Sequence, residues 1–241
     1  MQTGIAKPRI CAVIPVLNEQ GAIGPTVSRL PRDVVDVAIV VDGGSRDGTV
    51  DEARAAGAVV IEESRRGYGR ACQTGAEYAA SLGAEIVLFM DGDGADAVEY
   101  AARLTGPLLA GAADFVLADR TGGARDPGSM GWHQVLAGRL IGLAVGLITG
   151  VRYRDMCAFR AIHLYDLQRL GMREFTYGWN LEMQIRAARA GLRVREVALP
   201  YHCRIAGDSK VAGSFSGTVR AGQRILRTLV SVGWSARRMA P

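Results

Sequence analysis

Residues 86–99 read IVLFMDGDGADAVE. Five apolar residues run into Asp91, Asp93 and Asp96, and only small residues separate the acids. The unbroken apolar run reads as a buried strand, so the acids stand where that strand leaves the sheet. Carboxylates this crowded raise one another's pKa unless a positive charge sits among them. Asp91 and Asp93, one residue apart on a turn, can both reach a hard divalent cation such as Mg2+ or Mn2+. Such an ion takes oxygen ligands and often binds substrate phosphates as well. Asp96 either joins them or caps the helix that follows.

The chain on either side repeats the same grammar. Val- and Ile-rich runs at 9–15, 37–42, 58–63, 85–91 and 114–119 read as strands, and the alternating 193–200 as an edge or half-exposed one. Helical patterns fall at 19–30, 47–57 with Asp47 as a cap, 69–82, 96–111, 131–149, 163–171 and 180–191. Strands alternating with helices predict an α/β fold, a mostly parallel central sheet with helices on both faces. Such sheets bind ligands beyond the carboxyl ends of their strands. Three of those ends carry acids, at Glu19, Asp42 and Asp91/Asp93, and could line one crevice.

Composition bounds the partners. The chain has 241 residues, 49% of them hydrophobic and 22% charged, which suits one soluble domain with a sizeable core. The net charge of +5 is uneven. Arg204, Lys210, Arg220, Arg224, Arg227, Arg237 and Arg238 face Asp208 alone, a tail suited to anionic partners. Cys11, Cys72, Cys157 and Cys203 form no C-x-x-C pair, so reduced thiols in the cytoplasm are expected. The N-terminal MQTGIAKPRI lacks the apolar core of a signal peptide.

A D-x-D after an apolar strand has two chemistries. In haloacid-dehalogenase-like phosphatases the first Asp is a nucleophile and the second a general acid. That motif continues Gly-Thr, whereas Gly94 and Ala95 follow here, and no acid follows Gly207-Asp208 where a later motif would need one. A non-catalytic nucleotide-binding module is a further alternative. The other chemistry fits more of the chain. The segments VIPVLNE (13–19), VVDGGSRDGT (40–49), RGYGRACQTG (66–75), FMDGDGAD (89–96), DMCAFRA (155–161), YGWNLEMQIRA (177–187) and RIAGDSK (204–210) resemble, in order, the family 2 glycosyltransferases. The resemblance covers about residues 8 to 215 and is nearest to the branch of polyprenyl-phosphate (dolichyl-phosphate) mannosyl- and glucosyltransferases.

The resemblance implies a single GT-A domain over 1–215, followed by a basic amphipathic helix over 216–241. It implies an inverting, metal-dependent transfer of a hexose from a nucleotide sugar, UDP-hexose before GDP-mannose. The implied acceptor is a polyprenyl phosphate or, alternatively, a soluble or glycolipid hydroxyl. On the donor side it assigns Pro15, Asn18, Glu19, Asp42, Gly69, Arg70, Asp91, Arg204, Ser209 and Lys210. Asp91 and Asp93 take the metal, Mg2+ or Mn2+. Asp155 and then Glu182 are the acceptor-side acids, needed as a base if the acceptor is a hydroxyl and not if it is an ionised phosphate. Arg120, Arg152 and Arg160 are implied acceptor contacts. Ala95 departs from the family, where a polar residue is common. His133, His163 and His202 match no role.

Two segments bear on membranes. VLAGRLIGLAVGLIT (135–149) is apolar apart from Arg139, with glycine at 138, 142, 146 and 150. It is short for a span, and its glycines suit close packing against a helix or a sheet. GTVRAGQRILRTLVSVGW (217–234) sets Arg220, Arg224 and Arg227 on one face and reads as a membrane-surface helix or a dimer helix. The expected partners are a nucleotide sugar, a lipid phosphate at the inner face of the membrane and a second copy of the chain, with no nucleic acid.

Overall fold

Runs dense in Val, Ile and Leu, each closed by a polar or glycine break, become strands, and the segments between them become helices. The computed structural model describes residues 7–206. Its strands are β1 (Ile10–Val16), β2 (Val37–Asp42), β3 (Val59–Glu62), β4 (Ile86–Phe89), β5 (Phe115–Asp119), β6 (Arg160–His163) and β7 (Val194–Ala198). They form one seven-stranded sheet in the order β3-β2-β1-β4-β6-β5-β7. Every pair is parallel except those of β6, which runs antiparallel to both β4 and β5. The sheet is therefore mostly parallel, as the alternation of elements implies.

The helices are α1 (Ile23–Ser28), α2 (Thr49–Ala55), α3 (Tyr68–Ser81), α4 (Ala101–Leu109), α5 (Trp132–Thr149), α6 (Leu164–Leu170) and α7 (Trp179–Arg189). Because successive strand residues point to opposite faces, β1 feeds two cores. Ile10, Ala12, Ile14 and Val16 join the side covered by α1, α2 and α4. Cys11 and Val13 join the side covered by α3, α6 and α7. β7 lies at the sheet edge with only Val197 buried, as its alternating pattern predicts.

Three elements differ from the sequence reading. β6 was not anticipated, because an arginine in a four-residue strand hides the hydrophobic signal. Arg160 is fully buried in it, donating to the carbonyls of Cys157, Ala158 and Asn180. The helix expected at 19–30 shrinks to α1, because the backbone N–H groups of Asn18 and Glu19 are bonded across to Ser45 and Thr49. The helix expected at 96–111 starts later, after a 3-10 turn at Val98–Tyr100. Asp96 does not cap it; its carboxylate turns back to the Asp91 N–H at 3.1 Å.

The contact of α3 with the sheet is tight enough to test. A Cβ on Gly75 would meet Val13 Cγ1 at 2.4 Å and Val41 Cγ2 at 3.0 Å. Alanine normally favours a helix over glycine by about 1 kcal/mol, but overpacking a core costs about 1–3 kcal/mol. Gly75→Ala should therefore lower the melting temperature. A rise would mean that α3 stands off the sheet.

Candidate active site

The carboxyl ends of β1, β2, β3 and β4 open into a cleft of about 1150 Å3. Its floor is sewn together by side chains. Asn18, in the left-handed region at φ 52°, accepts the Arg46 N–H at 2.8 Å and donates its own N–H to Ser45 Oγ at 2.8 Å. Asparagine tolerates that conformation better than most residues. Pro15, Asn18, Glu19, Asp91, Asp93, Arg120 and Arg204 all line the cleft. Ser209, Lys210 and the segment 217–234 lie outside the described residues.

The acids are arranged by hand-offs. Asp93 is 2% exposed; its Oδ1 accepts the Ala95 N–H at 3.0 Å and its Oδ2 pairs with Arg204 at 2.8 Å. Asp96 Oδ2 takes the Asp91 N–H, and Cys157 Sγ lies 3.7 Å from Oδ1. Burial, and next the charge of Asp93, push Asp91 up to about 6 despite Arg204 and Arg120. Burial, and next the charges of Asp91 and Asp93, push Asp96 up to about 7. Among the described residues no three His, Cys, Asp or Glu side chains close into a metal cage. A hard cation completes its shell with phosphate and water oxygens, and Asp91 and Asp93, both in the cleft lining, have the carboxylate oxygens to fit one.

Other expected site residues stand elsewhere. Asp155, 3% exposed, lies behind Arg120 and off the cleft wall. It accepts Arg120 Nε at 2.7 Å, Arg120 Nη2 at 2.8 Å, the Arg120 N–H at 3.0 Å and the Met156 N–H at 2.7 Å. Against burial, which acts upward, the hydrogen bonds and charge of Arg120 hold Asp155 below the usual aspartate range. Glu182, 1% exposed, is spent on the N–H groups of Arg173 and Glu174 and on Arg186 Nε at 2.7 Å. Neither acid is presented as a base. Asp42 accepts the N–H groups of Gly44 and Ser45, both at 3.0 Å, and shapes the turn beneath the cleft.

Gly69 and Arg70 serve a different contact from the expected one. A Cβ on Gly69 would come within 2.4 Å of the Glu174 carbonyl, the Arg70 N–H donates to Phe175 O at 3.1 Å, and Arg70 lies over the Phe175 ring at 4.2 Å. The start of α3 is thus pressed onto the 174–176 segment, while Tyr68, stacked on Tyr177 at 6.4 Å, faces the cleft. Arg160 is buried and Arg152 is exposed beyond the end of α5, neither on the cleft wall. The sequence reading passed over Glu63, Arg65 and Tyr201. Tyr68 lay inside the quoted RGYG segment and could have been found there.

This fold and this strand-end site are those of a glycosyltransferase. Residues 11–168 match Glycosyl transferase family 2, and the chain belongs to that family. It is 31% identical over 200 residues to glycosyltransferase AglJ of Haloferax volcanii, covering 83% of this chain and 65% of that protein. It is also 31% identical over 230 residues to undecaprenyl-phosphate mannosyltransferase of Micrococcus luteus, covering 87% and 90% of the two chains. Glucosyl-3-phosphoglycerate synthase from Mycobacterium tuberculosis, solved with Mn2+, UDP-glucose and phosphoglyceric acid, shares the GT-A fold with a TM-score of 0.74. The identity is 24%, over 95% of this chain and 80% of that one. The phosphatase and binding-module alternatives are overturned by family membership.

The raised acids make a pH prediction. A carboxyl whose folded pKa exceeds its unfolded one stabilises the fold at low pH, and that contribution is lost as pH rises through the folded value. For Asp91 and Asp96 the window runs from about 4 to about 7. Melting temperature in metal-free buffer should fall between pH 5 and pH 8. Asp96→Asn should flatten that fall, and an unchanged slope would remove the acid cluster as its source.

Proposed function

We propose that this enzyme transfers a hexose, with inversion, from a nucleoside diphosphate to a polyprenyl phosphate. The observation that carries the reading is the pair of D-x-D acids on a cleft wall shared with Arg120 and Arg204. An acceptor oxygen forms a bond to the anomeric carbon as the bond from that carbon to the diphosphate oxygen breaks. The bonding electrons leave with the nucleoside diphosphate. Arg204 and Arg120 take up charge on the departing phosphates through charge-assisted hydrogen bonds. Asp91 and Asp93 would hold Mg2+ or Mn2+, whose chemistry is to neutralise the same developing charge. UDP-hexose is the first donor to test, in keeping with the UDP-glucose in the mycobacterial synthase, and GDP-mannose the second.

The state of the acids favours the phosphate acceptor over a hydroxyl. A phosphate is already ionised at neutral pH and needs no base, and Asp155 and Glu182 are both committed to other donors. Similarity to the undecaprenyl-phosphate enzyme supports the same acceptor class.

A second feature supports work at a lipid surface. α5 meets the cleft through Gln134 and is only 11% buried, though long and apolar enough by composition to cross a membrane. Trp132, Leu140 and Leu147 are 78%, 57% and 82% exposed on it. Its glycines pack on the 152–153 backbone instead of a helix: a Cβ on Gly142 would meet the Tyr153 carbonyl. Lying in the interface would cover this face and bring the cleft to the acceptor.

Purified enzyme should move hexose from UDP-glucose or GDP-mannose to undecaprenyl phosphate in the presence of Mn2+. Asp93→Asn should cut the rate by about a hundredfold or more and keep the fold by circular dichroism. Transfer to glycolipid hydroxyls but never to the lipid phosphate would sink the acceptor half. Separately, Leu140→Glu combined with Leu147→Glu should release the protein from anionic vesicles in co-sedimentation while leaving nucleotide binding intact. Undiminished vesicle binding would discard the role of α5.

A further inference from the structure

At the end of β3 the cleft wall carries an arginine held rigid by a buried acid. Glu63 is 5% exposed. Its Oε1 accepts the Arg65 N–H at 2.9 Å and Arg65 Nε at 2.8 Å; its Oε2 accepts Arg65 Nη2 at 2.8 Å and the Thr74 hydroxyl at 2.6 Å. Four donors fill the acceptor sites of a carboxylate. Glu63 therefore keeps no acceptor for a ligand, and its effect is on Arg65.

Arg65 commits one side of its guanidinium to this pair. The Nη1 hydrogens and the second Nη2 hydrogen remain, an edge that only donates. The side chain is 63% exposed and lines the cleft together with Gly43, Gly44 and Glu63. Pinning a long side chain beforehand removes the ordering cost that a free surface arginine would meet on binding. In the sheet order, β3 lies three strand spacings from β4 and its D-x-D, about 14 Å at the usual spacing. That separation suits a nucleoside diphosphate lying with its phosphates at Asp91 and Asp93 and its base at Arg65.

Resting on the donor reading above, we propose that Arg65 is the base-reading residue of the cleft, with Glu63 and Thr74 as its positioning residues. A donor-only edge pairs with the carbonyl oxygen of uracil or guanine and is repelled by the exocyclic amine that cytosine or adenine carries at the corresponding place. The cleft thus selects keto bases over amino bases.

Calorimetric titration of the full chain with UDP, CDP, GDP and ADP, each with Mn2+, tests this. At least one keto nucleotide should bind about tenfold or more tightly than its amino counterpart. Arg65→Leu should bring that ratio toward one; it strands the buried Glu63 carboxylate and so lowers the melting temperature, while circular dichroism should show the fold retained. Thr74→Val should lower the ratio part of the way, and Thr74→Ser, which restores the hydroxyl, should recover it. A wild type that binds these nucleotides without keto preference, or a ratio unmoved in Arg65→Leu, overturns the assignment and leaves the donor reading standing. Binding of none of the four overturns both.

Discussion

Three crowded carboxylates at the end of one strand set the terms for everything around them. Asp91, Asp93 and Asp96 sit within six residues, and burial together with the neighbouring carboxylates works against the ionised forms of Asp91 and Asp96. Removing one partner from a buried, paired charge is costly because it strands the other. The fold answers by lacing a distant segment over the acids. Tyr201 bridges to Asp96, the His202 N–H donates to Ala95 O at 2.9 Å, and the Ile205 N–H donates to Asp93 O at 3.0 Å. That lacing delivers Arg204 to Asp93 and Tyr201 to the cleft wall. The far wall of the site is there because the acids need it.

A second chain of dependence ends on Arg120. The glycine side of α5 seats the 152–155 segment: a Cβ on Gly146 would touch Arg152, one on Gly142 would clash with the Tyr153 carbonyl, and one on Gly138 would lie 3.9 Å from Asp155 Oδ1. Asp155 in turn holds Arg120 by two side-chain bonds and one from the backbone. The same helix exposes its apolar residues outward. One element therefore carries both the proposed lipid face and, through two contacts, an arginine of the cleft. Displacement of α5 would be felt at Arg120, because α5 packs on the segment that carries Asp155 and on α7.

What the sequence made legible was local. Strand runs, the D-x-D and the convergence of strand ends all follow from periodicity within ten residues or from the rule that parallel strands share an edge. What stayed hidden depends on hydrogen bonds that periodicity does not record, some of them to partners far along the chain. Asp155 reads as a free acid until Arg120, 35 residues earlier, is found to saturate it. Glu182 reads the same way until the N–H groups of Arg173 and Glu174 are seen to fill it. Gly69 looks like a ligand-side glycine, but the backbone it must clear belongs to Glu174. β6 escaped because its buried arginine breaks the hydrophobic run and is satisfied by backbone carbonyls, of Cys157 and Ala158 just before it and of Asn180 from α7.

The acids of this site divide into anchors and occupants, and the division bears on the chemistry. Glu63, Asp155 and Glu182 are buried, accept several hydrogen bonds each and fix arginines or loops. Arginine held in this way presents donors in a set direction, which suits planar, oxygen-rich ligands better than a mobile lysine would. Asp91 and Asp93 differ: they stand on the wall itself, short of compensating charge except for arginines that also face the cleft. A site organised in this way is built to gather negative oxygen atoms and cations. Asp155 and Glu182, which the sequence reading gives to the acceptor, are the most fully satisfied of these acids and are poorly placed to abstract a proton. The proposed reaction between two phosphate-bearing partners, with charge to be moved and no proton to be taken, draws on the arginines and the D-x-D acids of this cleft.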